Sequence, residues 1–237
     1  MGPNGERIAE LGRPDDTPIE SPAVVKSVAI IWSVISYSQV LRVLQPVVPV
    51  LFDSVTEGVA LAAREHGERG YKRQHDPHYY AATARREVME RLNKAGLMVL
   101  HEDGDRPLLP MSALLLAYDR LSLWMFKASR REAGGAAHEI PLPGRSVRKQ
   151  KYWRQEPVLP LDGLPADNIL LLWSEDRGVL YPTMTLVRPL AGDHRVDSLR
   201  IDWAGPLQRE MATFSAADLD ELRPAEEHLR LGEADER

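Results

Sequence analysis

Apolar positions recur at helical spacing through the first half of the chain and at strand spacing through its last third. Ser21-Pro22 reads as an N-cap followed by proline at the first helical position, where a missing N–H costs nothing. Beyond it, Val24, Val28, Ile31, Trp32, Ile35, Leu41 and Leu44 fall mostly three or four residues apart, which predicts a helix that Pro46 and Pro49 break or kink. A second stripe, Leu51, Val55, Val59 and Ala62, runs to a stop at Gly67. Asp76-Pro77 repeats the cap-and-proline start, and Tyr80, Ala84, Val88 and Leu92 carry a helix that ends before Gly96. Its outer face holds Glu87/Arg91 and Glu90/Lys94 in the favoured acid-first order. Asp103-Gly104 then marks a hairpin over 97–110, with Pro107 and Pro110 making its second strand an edge. Ser112 starts an expected fourth helix through Leu115, Leu116, Leu123, Trp124, Met125 and Phe126, stopped at Gly134-Gly135.

From Asn168 the period shortens to that of strands. Ile169–Trp173, Val179–Val187 and Val196–Trp203 are separated by Glu175-Asp176-Arg177-Gly178 and Ala191-Gly192-Asp193, the pattern of a three-stranded meander. Ser215 with Asp218 three residues on is a capping box for a last short helix. The expected class is α+β. A helical region of about four helices plus a hairpin (22–132) is followed by a proline- and glycine-rich connection (133–168) and an antiparallel sheet of at least three strands (169–214). An acidic tail (1–21) precedes these, and a short helix with a second acidic tail (215–237) follows.

Composition narrows the chemistry. The 237 residues are 43% hydrophobic and 27% charged, sufficient for a real core. There is no cysteine, which removes disulfides, iron–sulfur clusters, thiolate zinc sites and cysteine nucleophiles together. The first twenty residues are polar and acidic, unlike a secretory signal. Residues 23–44 are apolar but interrupted by Lys26, Arg42 and several serines, so a buried core helix is expected rather than a membrane span. The cytoplasm is the expected location.

The net charge of −5 conceals an uneven distribution. Both ends are acidic, and residues 127–154 hold eight basic residues against Glu132 and Glu139. The densest part contains Arg145, Arg148, Lys149, Lys151 and Arg154, with Tyr152 and Trp153 among them. Cationic groups on an open loop neutralise phosphates, and neighbouring rings offer faces to unstacked bases. These seven residues are the expected nucleic-acid-binding set, for RNA or single-stranded DNA. The bland alternative has Tyr152 and Trp153 anchoring the loop on the core while the cations stay in water or meet acids, and an acidic protein surface is the other partner class.

Three further constellations weigh less. The order helix, helix, hairpin suggests a winged helix-turn-helix with Arg85, Arg86, Arg91, Asn93 and Lys94 on the recognition helix. Its intervening loop of about nine residues exceeds the three or four of that motif, and the hairpin tip Glu102, Asp103, Asp105 would repel phosphate. His75, Asp76 and His78, with His101 or Asp103, give a weak metal set, because Asp76 is already used as a cap. Arg73/His78 and Arg69/His75 have the spacing of an HEPN-type ribonuclease pair, in which histidine moves a proton and arginine stabilises phosphate charge. About two such matches are expected by chance in a chain this rich in arginine. No phosphate loop, nucleophile elbow, dinucleotide turn or zinc-protease helix is present.

The expected function is a non-catalytic interaction or regulatory protein without cofactor, metal or membrane, whose basic segment meets nucleic acid or an acidic protein. A metal-independent HEPN-like ribonuclease is the enzyme alternative.

Overall fold

A computed structural model describes residues 34–72, 77–99, 113–131, 136–156, 167–193, 195 and 198–227. Helix α1 (Tyr37–Leu44) opens on a capping box: Ser36 Oγ accepts from the Gln39 N–H at 3.2 Å, and Gln39 Oε1 accepts from the Ser36 N–H at 2.9 Å. The helix expected to run from Ser21-Pro22 through Ile35 to Leu44 is corrected here: Val34–Ser36 are not helical and Ser36, in extended backbone, caps a start at Tyr37, while Ser21-Pro22 itself lies outside the described residues. Pro46 and Pro49 have the anticipated effect, since Gln45–Val47 tightens into a 3-10 turn before α2 (Val48–Glu68). Helix α3 (Pro77–Lys94) packs back on α2. The two approach closely at Gly58, where a Cβ would stand 2.7 Å from Val88 Cγ2 and 2.9 Å from the Val88 backbone N.

The sheet is mixed. Its strands are β1 (Met98–Val99), β2 (Leu114–Tyr118), β3 (Leu121–Lys127), β4 (Asp167–Trp173), β7 (Thr183–Asp193), β8 (Ser198–Gln208) and β9 (Glu226–Glu227), neighbours in that order. All neighbours are antiparallel except β3 and β4, which run parallel. A separate ribbon, β5 (Glu175–Asp176) with β6 (Val179–Leu180), turns through Arg177 and Gly178, both at positive φ. Helices α4 (Val147–Trp153) and α5 (Ala216–Glu221) complete the fold, and α5 begins on the expected Ser215/Asp218 capping box.

The fourth helix expected over 112–126 is instead the hairpin β2–β3. Tyr118 pairs with Leu121 across the two-residue turn Asp119-Arg120, with Asp119 at φ 50°. These strands are covered on both faces, so each reads as a continuous apolar run without alternation, and a run of that kind does not distinguish strand from buried helix. Strand β1 pairs with β2 through Met98 opposite Ala117. The rest of the hairpin expected over 97–110 lies outside the described residues.

Alternation along the strands builds two cores. Leu114, Leu116, Leu123, Met125, Ile169, Leu171, Met184 and Leu186 face α1, α2, α3 and α5. Leu115, Trp124, Phe126, Leu170, Leu172 and Val187 face the other way, onto Tyr152 and Trp153 of α4. The second core follows from chain direction. A parallel pair needs a long crossover, and residues 128–166 carry the chain from the end of β3 to the start of β4 with α4 in the middle. Strands β3 and β4, on either side of that crossover, thus lie side by side in one sheet. All described residues except Val34 belong to one unit, Ile35–Arg237.

The stretch Tyr37–Glu68 is long and apolar enough to cross a membrane by composition. Its apolar face, including Leu44, Leu51, Val55 and Val59, is buried in the first core.

Substituting Gly58 by alanine is expected to cost about 1–3 kcal/mol, since Val88 Cγ2 can rotate away but its backbone N cannot. Urea denaturation measures this, and unchanged stability would contradict the close helix approach.

Candidate polyanion-binding surface

Helix α4 is short, and three devices hold it to the sheet. Ser146 caps its start, accepting from the Lys149 N–H at 3.4 Å. Tyr152 and Trp153 are completely buried: the Tyr152 ring meets Trp124 edge-on at 4.9 Å between centroids, and Trp153 meets Phe126 at 5.8 Å. The Tyr152 hydroxyl shares its one proton between the carbonyls of Ser122 and Ile169, one on each strand of the parallel pair. Burial pushes that phenol far above its ordinary range, so it remains a donor.

The helix end is fixed by amides. Asn168 Nδ2 donates to the carbonyls of Tyr152 (3.1 Å) and Glu156 (3.0 Å). Gln155, at φ 60°, donates to Asn168 O (2.9 Å) and Pro189 O (2.8 Å), while its Oε1 accepts from the Asn168 N–H (3.0 Å). The Trp153 indole N–H finds no acceptor among the described residues. Packing outweighs that loss: burying an indole contributes about 4–6 kcal/mol, against about 1–3 kcal/mol for an unmet donor.

The expected binding set therefore divides. Tyr152 and Trp153 offer no face to an incoming base. The stacking role expected for these two rings is corrected to anchoring, because amphipathic crossover geometry turns residues 152 and 153 onto the sheet. Arg145 and Lys151 are exposed, and Arg148 is half-buried. Lys149 lies at the edge of the core, its Nζ 5.6 Å from the Phe126 ring centroid, and burial lowers its pKa. Arg154 pairs with Glu156, Nε to Oε1 at 2.7 Å, with both side chains about half exposed. An exposed pair of this kind contributes only about 0–1 kcal/mol, little enough for a phosphate to compete. What remains is a cationic outer face on a fixed helix, able to meet phosphate or carboxylate groups.

Other expected sites fare differently. On α3, Arg91 pairs with Glu57 of α2, and Arg85 turns into a small cavity beside Leu114, Met125 and Trp173. Neither is presented as on a recognition helix. Arg73, His75, Asp76, His101 and Asp103 lie outside the described residues, and with them one member of each ribonuclease pair and the metal set apart from His78. His78 is exposed, and Arg69 donates to the Tyr79 hydroxyl at 2.5 Å.

Sequence reasoning passed over a second polar constellation. After β3 the chain forms a narrow ribbon in which Arg130 pairs with His138, and Glu139 N–H donates to Ser129 O at 2.9 Å. His138 is fully buried, with Nδ1 2.8 Å from Thr185 Oγ1 and Nε2 2.9 Å from Ser174 Oγ. Burial, and secondarily the charge of Arg130, lower its pKa from 6.5 to about 4, so the imidazole is neutral at pH 7. A neutral ring with a threonine behind it, rather than a carboxylate, is a weak base and a good structural bridge. The only signal in the sequence was a lone histidine after Ala136-Ala137, which does not reveal partners 36 and 47 residues away.

Comparison with known proteins finds no matching family model, no matching curated protein and no matching solved structure.

Tyr152→Phe is expected to cost about 1–3 kcal/mol of stability by removing the buried hydroxyl that bridges β3 and β4. Denaturation at neutral pH tests it, and a neutral effect would contradict the anchoring. For His138 the sign follows from a folded pKa below the unfolded one: its contribution is complete above pH 6.5 and falls as pH drops from 6.5 to about 4. The wild type should lose more stability than His138→Gln across that interval, by up to about 3 kcal/mol. Parallel pH slopes in the two proteins would contradict a buried neutral imidazole.

Proposed function

We propose that this chain is a non-catalytic interaction or regulatory protein of the cytoplasm, whose α4 surface contacts the phosphate backbone of RNA or single-stranded DNA. The supporting observation is the division of α4: rings inward, with Arg145, Arg148, Lys151 and Arg154 outward or at the rim. With the rings committed to the core, contact runs through phosphates and carries little base preference. Affinity then depends on charge number and falls with salt through counterion release. The burial of both rings also favours a second reading, an acidic protein surface, which needs cations but no stacking face.

The experiment is retention of a labelled RNA oligonucleotide by the full chain across a salt series. Replacing Arg145, Arg148, Lys151 and Arg154 by alanine is expected to abolish retention and flatten the salt dependence. Lys149 stays, because it packs on Phe126. Retention unchanged in this variant would overturn the reading. Absence of RNA retention together with charge-dependent capture of a defined polyglutamate peptide would favour the acidic partner. Cleavage of the oligonucleotide, abolished by His78→Ala, would move the protein to the ribonuclease class.

A further inference from the structure

A cleft opens where the two parallel strands end. Beyond β3 the chain turns toward the second core through the Ser129–Arg131 ribbon. Beyond β4 it turns the other way, into the β5–β6 ribbon, which meets α2 where Gly178 approaches Ala63. Adjacent parallel strands whose continuations part in this manner leave a crevice at their carboxyl ends, a place where α/β sheets bind ligands. Here it has a volume of about 350 Å3 and is lined by Lys127, Ser129, Arg130, Ser174, Glu175 and Tyr181. That volume is in the lower range of small-molecule sites, which begin at roughly 300 Å3.

Among the described residues the charges in the cleft do not cancel. Glu175, its side chain fully buried, is engaged by Lys127 and accepts from the Gly178 N–H at 2.9 Å. Arg130 is exposed and stands 4.2 Å above the Tyr181 ring centroid, and among the described residues no carboxylate pairs with it. Stacking on the ring restricts the guanidinium without using its N–H donors. Among the described residues the cleft thus presents a pre-positioned guanidinium with no carboxylate partner, beside the hydroxyl-bearing residues Ser129, Ser174 and Tyr181.

The network behind Ser174 gives that hydroxyl a direction. A neutral imidazole has one N–H to share between Thr185 and Ser174. If Thr185 donates to Nδ1, then Nε2–H donates to Ser174 Oγ, and the Ser174 proton is left to point into the cleft. An anion in the cleft favours this tautomer over its reverse.

We propose that the cleft at the carboxyl ends of β3 and β4 binds a phosphomonoester, with its phosphate on Arg130, Ser174 and Ser129 and its organic group in the remaining volume. A planar carboxylate engages the fork of Arg130 but leaves hydroxyls unmet. A tetrahedral phosphate has a third terminal oxygen for them. The site is separate from the α4 surface, and neither depends on the other.

Calorimetric titration of the full chain with phenyl phosphate tests this, with benzoate and inorganic phosphate as parallel probes. One saturable site is expected, with benzoate weaker by about tenfold or more and inorganic phosphate competing with phenyl phosphate. Arg130→Gln, at an exposed position that leaves the cores intact, should weaken phenyl phosphate at least about tenfold. Ser174→Ala should also weaken it, and its circular dichroism would report whether the fold is retained. The fourfold alanine variant on α4 should bind as the wild type does. Absence of a saturable heat, equal affinity for benzoate, or undiminished affinity in Arg130→Gln would each overturn the assignment. Loss of binding in the α4 variant would overturn it as well, by placing the anion on the helix.

Discussion

The burial of Tyr152 and Trp153 against the second face of the sheet is the constraint on which the rest of the structure depends. Two parallel strands require the chain to return across the sheet, and the return has to cover the apolar residues that alternate away from α1, α2 and α3. Two aromatic rings on one turn of helix cover Trp124, Phe126, Leu170 and Leu172. Once they point inward, the arginines and lysines interleaved with them point outward or to the rim. The same geometry that completes the core thus makes the cationic surface.

The amides around the helix end turn this packing into a fixed position. Gln155 and Asn168 exchange hydrogen bonds with each other, and Asn168 Nδ2 donates to the carbonyls of Tyr152 in the last turn of α4 and of Glu156 just beyond it, so the helix end is tied to the start of β4 as well as packed upon it. Gly192 shows how closely the next strand approaches: a Cβ there would stand 2.8 Å from Pro143 Cδ and 3.0 Å from Trp153 Cδ1. A pre-positioned cationic face loses less conformational entropy on binding than a free loop of the same composition. At the other end of the parallel pair, His138 ties the returning ribbon to β4 and β7 through Ser174 and Thr185.

Much of the architecture was legible because local chemistry and tertiary packing agree. The α+β class, the Pro77 start of α3 and the Ser215 cap followed from period and capping. Ala191-Gly192-Asp193, expected to separate two strands, instead continues β7 and pairs with Ser198–Arg200, and Val179–Leu180 leaves the expected strand Val179–Val187 to form the β5–β6 ribbon. The pattern failed where an element is covered on both sides: residues 114–127 lack alternation, and Asp119-Arg120 is a turn without glycine. A helix of seven residues inside a proline-rich stretch was equally hard to see, because its apolar face is only two rings wide. For the candidate site, the cations were evident from composition, but the fate of Tyr152 and Trp153 depended on strand direction, which no local pattern encodes. The cleft was invisible for a related reason: Arg130, Ser174 and Tyr181 come together only when β3 and β4 run side by side.

Amide hydrogen exchange across residues 147–156 tests the central claim most directly, measured in the free protein and with an RNA oligonucleotide added. A helix anchored by its rings should already exchange slowly in the free protein, with protection approaching that of β3 and β4 and little further change on binding. Exchange at unstructured-peptide rates in the free protein, with protection arising only when RNA is present, would contradict it.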